Sequence, residues 1–130
     1  MERTIALIAH DTQKIILAEW ASKHKRILKN FSLVGTKGTC EAINNITGLD
    51  IKQLGHGPDG GDIVIASKVI EKMIDVLIFF IDVRTPHGHE HDVQTLIRIS
   101  VLTNIPIALN SQTADSIIYS ELKKYSKFRE

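Results

Sequence analysis

Apolar runs and helical spacings alternate along the whole chain. Thr4 to Ala9 is an apolar run closed by turn chemistry, which predicts a buried strand. From about Thr12 to Leu28 the spacing is helical, with Ile16, Trp20 and Ile27 near one face. Phe31 to Thr36 predicts a second short strand. A Gly-rich turn follows, then a helix that ends at Gly48 as its C′ residue. Asp50 to Leu54 predicts a third strand, entering a loop from Gly55 to Gly61. Beyond it Ala66, Val69, Ile70 and Met73 fall at i, i+3, i+4 and i+7 of an amphipathic helix. Asp75 to Asp82 is the clearest strand, and being apolar on both faces it predicts a central place in a sheet. Val93, Leu96, Ile97, Ser100 and Val101 repeat the helical spacing, and Pro106 to Asn110 predicts a fifth strand. A final helix starts near Gln112 and runs into a Lys-rich polar tail.

Five βα units in a row predict an α/β fold: one domain over residues 1–130, a five-stranded, mostly parallel sheet with helices on both faces. No shift of composition, linker or repeat divides the chain. In such sheets ligands bind beyond the carboxyl ends of the strands. His10, Asp11, Gly35, Thr36, Gly57, Asp62, Asp82 and Asn110 are therefore expected along one edge.

Composition narrows the functional classes. The chain has 130 residues, 43% apolar and 24% charged, an ordinary globular balance that argues against disordered, collagen-like and coiled-coil proteins. The longest apolar run, Val76 to Ile81, has six residues and is far too short to span a membrane. No secretory pattern opens the sequence. A single cysteine, Cys40, leaves no internal disulfide and fits a reducing, cytoplasmic setting. Sixteen basic against fifteen acidic residues give a net charge of +1, so neither nucleic acid nor membrane is expected as a partner.

The segments after the predicted strands carry unusual chemistry. Ala9-His10-Asp11 follows the first, with Lys14 one helical turn further on. Gly35-Thr36-Lys37-Gly38-Thr39 follows the second. Its backbone N–H groups open a helix, and both features favour an anion. Either segment taken alone is equally well a strand-to-helix turn with a Thr or Asp cap. Gly57-Pro58-Asp59-Gly60-Gly61-Asp62 is more specific: three glycines let backbone approach a ligand, and Asp62 begins a helix. A helix N-terminus favours the ionised carboxylate, so a base there needs partial burial to keep its affinity for a proton. Histidines at 87, 89 and 91 invite a metal, with Asp82 or Asp92 completing the set. No second cluster at metal-ligand spacing supports that, and a metal-free acid–base and anion-binding role is the stronger reading.

Taken in order, these pieces resemble the methylglyoxal synthase family up to about Ile118. The matching segments are Ile5-Ala-Leu-Ile-Ala-His-Asp11, Gly35-Thr-x-Gly38, Ala42 through Thr47-Gly48 and Gly57-Pro-x-Gly-Gly-Asp62. They continue with Asp75-Val-Leu-Ile-Phe-Phe80, Asp82, His89-x-x-Asp-Val93, Leu96-Ile-x-Arg98, Ile105-Pro106, and Asn110 with Thr113-Ala-Asp115. The resemblance implies a cytoplasmic α/β protein, a homo-oligomer and typically a hexamer, that converts dihydroxyacetone phosphate to methylglyoxal and inorganic phosphate without metal or organic cofactor. It implies Asp62 as the base, with His89 and Asp92 beside the enediolate oxygens. It implies His10, Lys14, the turn Val34, Gly35, Thr36 and Lys37, and His56 with Gly57 as contacts to substrate and phosphate.

Several positions depart from the family pattern. Thr-Gly-Thr-Thr-Gly becomes Val34-Gly-Thr-Lys-Gly38, exchanging two hydroxyls for a cation. A common Ser is His56, two Gln after the Gly-Gly-Asp are Ile63 and Val64, and the C-terminal stretch that carries a phosphate-binding arginine in the family is shortened, with Arg129 as the candidate replacement. The Pro-His dipeptide would select His87, whereas spacing from Asp82 and to Asp92 selects His89. A non-catalytic module of the same fold that binds a phosphorylated regulator, as in carbamoyl phosphate synthetase, is the alternative. Retention of Asp62, His89 and Asp92 favours the enzyme. A metal-dependent hydrolase built on the His-rich loop is the weakest reading.

Overall fold

The structure, a computed structural model, describes residues 3–55, 61–84 and 93–129, with backbone alone for 125–129. Strand β1 (Thr4–Ala9) leads through a 3-10 turn (Asp11–Gln13) into α1 (Lys14–Lys23) and the short α2 (Lys25–Leu28). Then come β2 (Ser32–Gly35), α3 (Lys37–Thr47), β3 (Lys52–Gln53), α4 (Asp62–Ile70) and β4 (Val76–Phe80). Helix α5 (Val93–Thr103), β5 (Ile107–Ala108) and α6 (Ser111–Arg129) complete the order.

The strands lie in the order β3-β2-β1-β4-β5, and every pairing is parallel rather than mostly so. Strand β4 is interior, as its two apolar faces predict, but β1 takes the centre. Alternation along each strand divides the core in two. Ile5, Leu7, Ala9, Val76, Ile78 and Phe80 face one side, where they meet Leu17, Ala18, Trp20 and Ala21 of α1, Ile43 of α3, and Ala114 and Ile118 of α6. Ala6, Ile8, Leu77 and Phe79 face the other, against Ile65, Ala66 and Val69 of α4 and Leu96 of α5. A fully buried side chain of this kind contributes about 1.5–3 kcal/mol, so both layers are firmly held.

Helix ends follow local chemistry. Gly48 terminates α3 at φ 71°, the left-handed C-terminal position expected of it. Lys72 at φ 62° ends the turn after α4, so Met73 leaves the helix and is 54% exposed. Ile70 is also exposed, and the buried stripe of α4 is Ile65, Ala66 and Val69 instead. In α1 the buried face is Leu17, Ala18, Trp20 and Ala21, with Ile16 outside it. In α5 it is Leu96 and Ser100, with Val101 exposed. The third and fifth strands shrink to two residues each, because each pairs on one side only.

Helix α6 is fastened by polar contacts on top of its apolar ones. Trp20 Nε1 donates to Asp115 Oδ1 at 2.8 Å, and His24 Nε2 lies 3.0 Å from the same oxygen, without hydrogen-bond alignment. The buried carboxylate of Glu121 accepts from Arg3, at 2.9 Å from Nε, and from Lys124 at 2.9 Å.

Candidate active site

Because the sheet is parallel, the carboxyl ends of its strands share one edge. The chain winds outward from β1 through β2 to β3, then crosses back to place β4 on the other flank of β1. The crevice of such a sheet opens where the winding reverses, at the ends of β1 and β4. His10 ends β1 and Asp82 follows β4.

The two residues are joined directly. The backbone N–H of His10 donates to Phe80 O at 3.1 Å, extending the strand pairing by one residue. The backbone N–H of Asp82 donates to His10 Nδ1 at 2.8 Å. The imidazole is buried and meets Phe79 edge-on, with ring centroids 5.2 Å apart. Thr12 Oγ1 donates to Asp82 Oδ2 at 2.6 Å, and the N–H of Arg84 donates to Oδ1 at 2.8 Å.

Next to it lies the turn from β2 into α3. A Cβ on Gly35 would stand 2.5 Å from Leu7 O, so only glycine lets the strands approach this closely. Two bonds tie the turn to the end of β3: Leu54 N–H to Gly35 O at 2.7 Å, and Lys37 N–H to Gly55 O at 3.1 Å. Thr36 holds the N-cap position in extended conformation without capping the helix through its side chain. Its buried hydroxyl instead donates to Thr39 Oγ1 at 3.3 Å, which also accepts the N–H of Ala9 at 3.2 Å. Lys14 reaches from α1 across this helix start and pairs with Asp11 at 2.6 Å. A cation beside the N-terminus of α3 is an arrangement whose charge and N–H groups favour an anion.

Asp62 is the first residue of α4, half-buried, with Gly61 before it at the N-cap position. Gly55, at φ 71°, takes the left-handed conformation that favours glycine, and lies against Gly61 at this entry. Lys37 is exposed at the first position of α3. Val34 has its side chain in the core layer beneath the sheet. Asn110 accepts the N–H of Thr113 at 3.0 Å and so caps α6. His56, Gly57, His89 and Asp92 lie outside the described residues, as do His87 and His91 of the proposed metal loop. Among the described residues no three His, Cys, Asp or Glu side chains are grouped to hold a metal.

The sequence pattern alone left the partners of three residues unread. Thr12 and Thr39 look like ordinary helix-start residues until their partners in distant strands are known. Gly38 has a visible signal, because glycine inside a first helical turn weakens the helix and needs another reason to be there.

Comparisons with known proteins fit this geometry. A family model described as an MGS-like domain matches residues 16–109. A methylglyoxal synthase of Coxiella burnetii is 41% identical over 120 residues, 92% of this chain and 84% of that protein. One from Clostridium acetobutylicum is 42% identical over 123 residues, 95% of this chain and 85% of its own. One from Photorhabdus laumondii is 45% identical over 120 residues, covering 92% and 79%. The crystal structure of methylglyoxal synthase from Elizabethkingia anophelis superposes with a TM-score of 0.87 at 38% identity, over 90% of this chain and 77% of that one. Its fold, its winding and these relatives together establish that the chain belongs to the methylglyoxal synthase family.

Proposed function

We propose that the protein is a carbon–oxygen lyase that converts dihydroxyacetone phosphate to methylglyoxal and inorganic phosphate. The observation that carries this is the 41% identity to a protein of that name across 92% of the chain. Asp62, assigned as the base, is the first residue of α4 and half-buried.

In this reading Asp62 takes a proton from the hydroxymethyl carbon, and the electron pair moves onto the neighbouring carbonyl oxygen to give an enediolate. Donors aimed at that oxygen stabilise the charge as it develops. His89 and Asp92 are assigned to the enediolate oxygens. The C–O bond to phosphate then breaks and the phosphate leaves with the bonding pair. The remaining enol, an isomer of methylglyoxal, takes up a proton on its methylene carbon and gives up its hydroxyl proton, which leaves methylglyoxal. Elimination requires the C–O bond to stand out of the enediolate plane, in line with the π system. A site that held it in the plane would isomerise the substrate instead. Orientation therefore decides the product, and it comes from anchoring the phosphate. Lys14, Thr36 and the start of α3, with His56 and Gly57, are assigned to that anchor. No step is assigned to a metal or an organic cofactor.

A homo-oligomer, a hexamer, completes the proposal, along with a cytoplasmic location. Apolar side chains exposed on α4 and α5, among them Ile63, Ile70, Val101 and Leu102, supply surface for contact between copies. Among the described residues no helix is long and apolar enough to cross a membrane.

The test is direct. Purified protein given dihydroxyacetone phosphate should release inorganic phosphate and form methylglyoxal in equal amounts. Binding of the substrate without turnover would instead favour the regulatory module.

A further inference from the structure

We propose that His10 acts as a fixed Nε2–H donor, a neutral imidazole whose tautomer is set by the peptide of Asp82, with Thr12 as the positioning residue that holds this peptide. The inference rests on the lyase reading for its catalytic meaning, but its structural content stands apart from that.

A backbone N–H can only donate. The nitrogen facing it at 2.8 Å, His10 Nδ1, must therefore be the one without a proton. A neutral imidazole carries one N–H, so the proton is on Nε2. Either alternative, the Nδ1–H tautomer or the imidazolium, would set two hydrogens against each other and leave a part-buried peptide donor without its acceptor. The ring has no freedom to avoid this conflict. Its backbone is locked to Phe80, and its body is buried against Phe79.

The donor peptide is itself held in place. Both carboxylate oxygens of Asp82 accept bonds, Oδ2 from the Thr12 hydroxyl and Oδ1 from the N–H of Arg84, so the turn after β4 has one orientation. Thr12 belongs to the 3-10 turn that follows His10, so one short segment supplies both the imidazole and the clamp on its partner. Among the described residues, the charged side chains near these strand ends include Asp11 and Lys14, paired with each other, and Asp82. The division of labour follows: Lys14 supplies positive charge to the anion, and His10 supplies a hydrogen bond that strengthens as charge builds on oxygen.

The test uses the intact protein labelled with 15N in its histidines, at about pH 7.5. The His10 signal is identified by its loss in His10→Gln. Its ring should show an unprotonated Nδ1 and a protonated Nε2. A protonated Nδ1, or the pattern of an imidazolium, would overturn the proposal whether or not the protein turns over dihydroxyacetone phosphate. In Thr12→Val the ring signals should shift toward a mixture of tautomers, with kcat falling ~10-fold and KM little changed, and Thr12→Ser should restore both. Unchanged ring signals in Thr12→Val would remove Thr12 from the mechanism. His10→Gln, which keeps an N–H near the Nε2 position, should retain at least ~10-fold more kcat than His10→Asn, and equal losses would argue against donation. A protein with the expected ring signals but no phosphate release would leave the tautomer assignment standing and refute the lyase reading alone.

Discussion

Lys14 Nζ occupies the space that a side chain at position 38 would fill, 2.5 Å from where a Cβ on Gly38 would stand. The missing side chain is what lets the ammonium lie across the start of α3. Gly38→Ala should displace the tip of a flexible lysine rather than any backbone. The fold should therefore tolerate it, and helix propensity should add up to ~1 kcal/mol of stability. Ligand binding should suffer instead, with KM for dihydroxyacetone phosphate rising ~10-fold, or ~1.4 kcal/mol of lost affinity. Urea unfolding and steady-state kinetics on the same sample would separate the two effects. An unchanged KM would remove Lys14 from the anion cradle.

Asp62→Asn preserves size and hydrogen bonding at the head of α4 and removes the proton acceptor. Turnover should fall at least ~10²-fold while the substrate still binds. Near-normal turnover in a folded variant would reassign the base.

The His-rich loop offers a choice of register. His89 and Asp92 are three positions apart, a spacing that suits a common ligand, whereas His87 is five positions away with Gly88 between. His89→Gln should therefore cost far more turnover than His87→Gln, and treatment with a chelator should leave activity unchanged. The opposite ranking would move the active imidazole to His87, and loss of activity on chelation would revive a metal role.

Cys40 gives a prediction for alkaline stability. Burial, with a smaller push from Glu41, raises its thiol from 9.0 to about 12. Between those values the unfolded chain releases the thiol proton while the native chain keeps it. Native protein then binds more protons, so stability is full below about pH 9 and falls as pH rises toward 12. The loss should be on the order of 2–3 kcal/mol by about pH 11. Cys40→Ala will start from lower stability because it leaves a cavity, yet its urea midpoint should decline less between about pH 8 and pH 11. Parallel declines would contradict the raised thiol.

The two long strands were legible because burial on both faces leaves a plain mark: Ile5 to Ala9 and Val76 to Phe80 are nearly unbroken apolar runs. The helical faces were harder. Ile16, Ile70, Met73 and Val101 keep apolar spacing but lie outside the stripes that pack, because α1, α4 and α5 each press on the sheet along a narrower line than the spacing suggests. Within the site, the sequence marks residues whose chemistry is local, such as Gly35, Thr36 and Asp62. It does not mark the bond from Asp82 N–H to His10 Nδ1, since that depends on strands 72 residues apart becoming neighbours. Nor does it mark the bond that Thr39 Oγ1 accepts from the N–H of Ala9, 30 residues away.

The central position of β1 has a consequence for biosynthesis. Ile5 to Ala9 leave the ribosome before the strands they pair with, since this strand needs β2 on one side and β4 on the other. Roughly forty-five residues separate the end of β2 from the end of β4, which at about 5–20 residues per second is a wait of about 2–9 seconds. During that wait a nascent chain carries an apolar strand with one bare edge, a template on which a neighbouring chain could pair. Translation speed between residues 36 and 80 therefore sets how long that edge stays bare, and Val76 to Phe80 is the segment whose arrival ends the exposure.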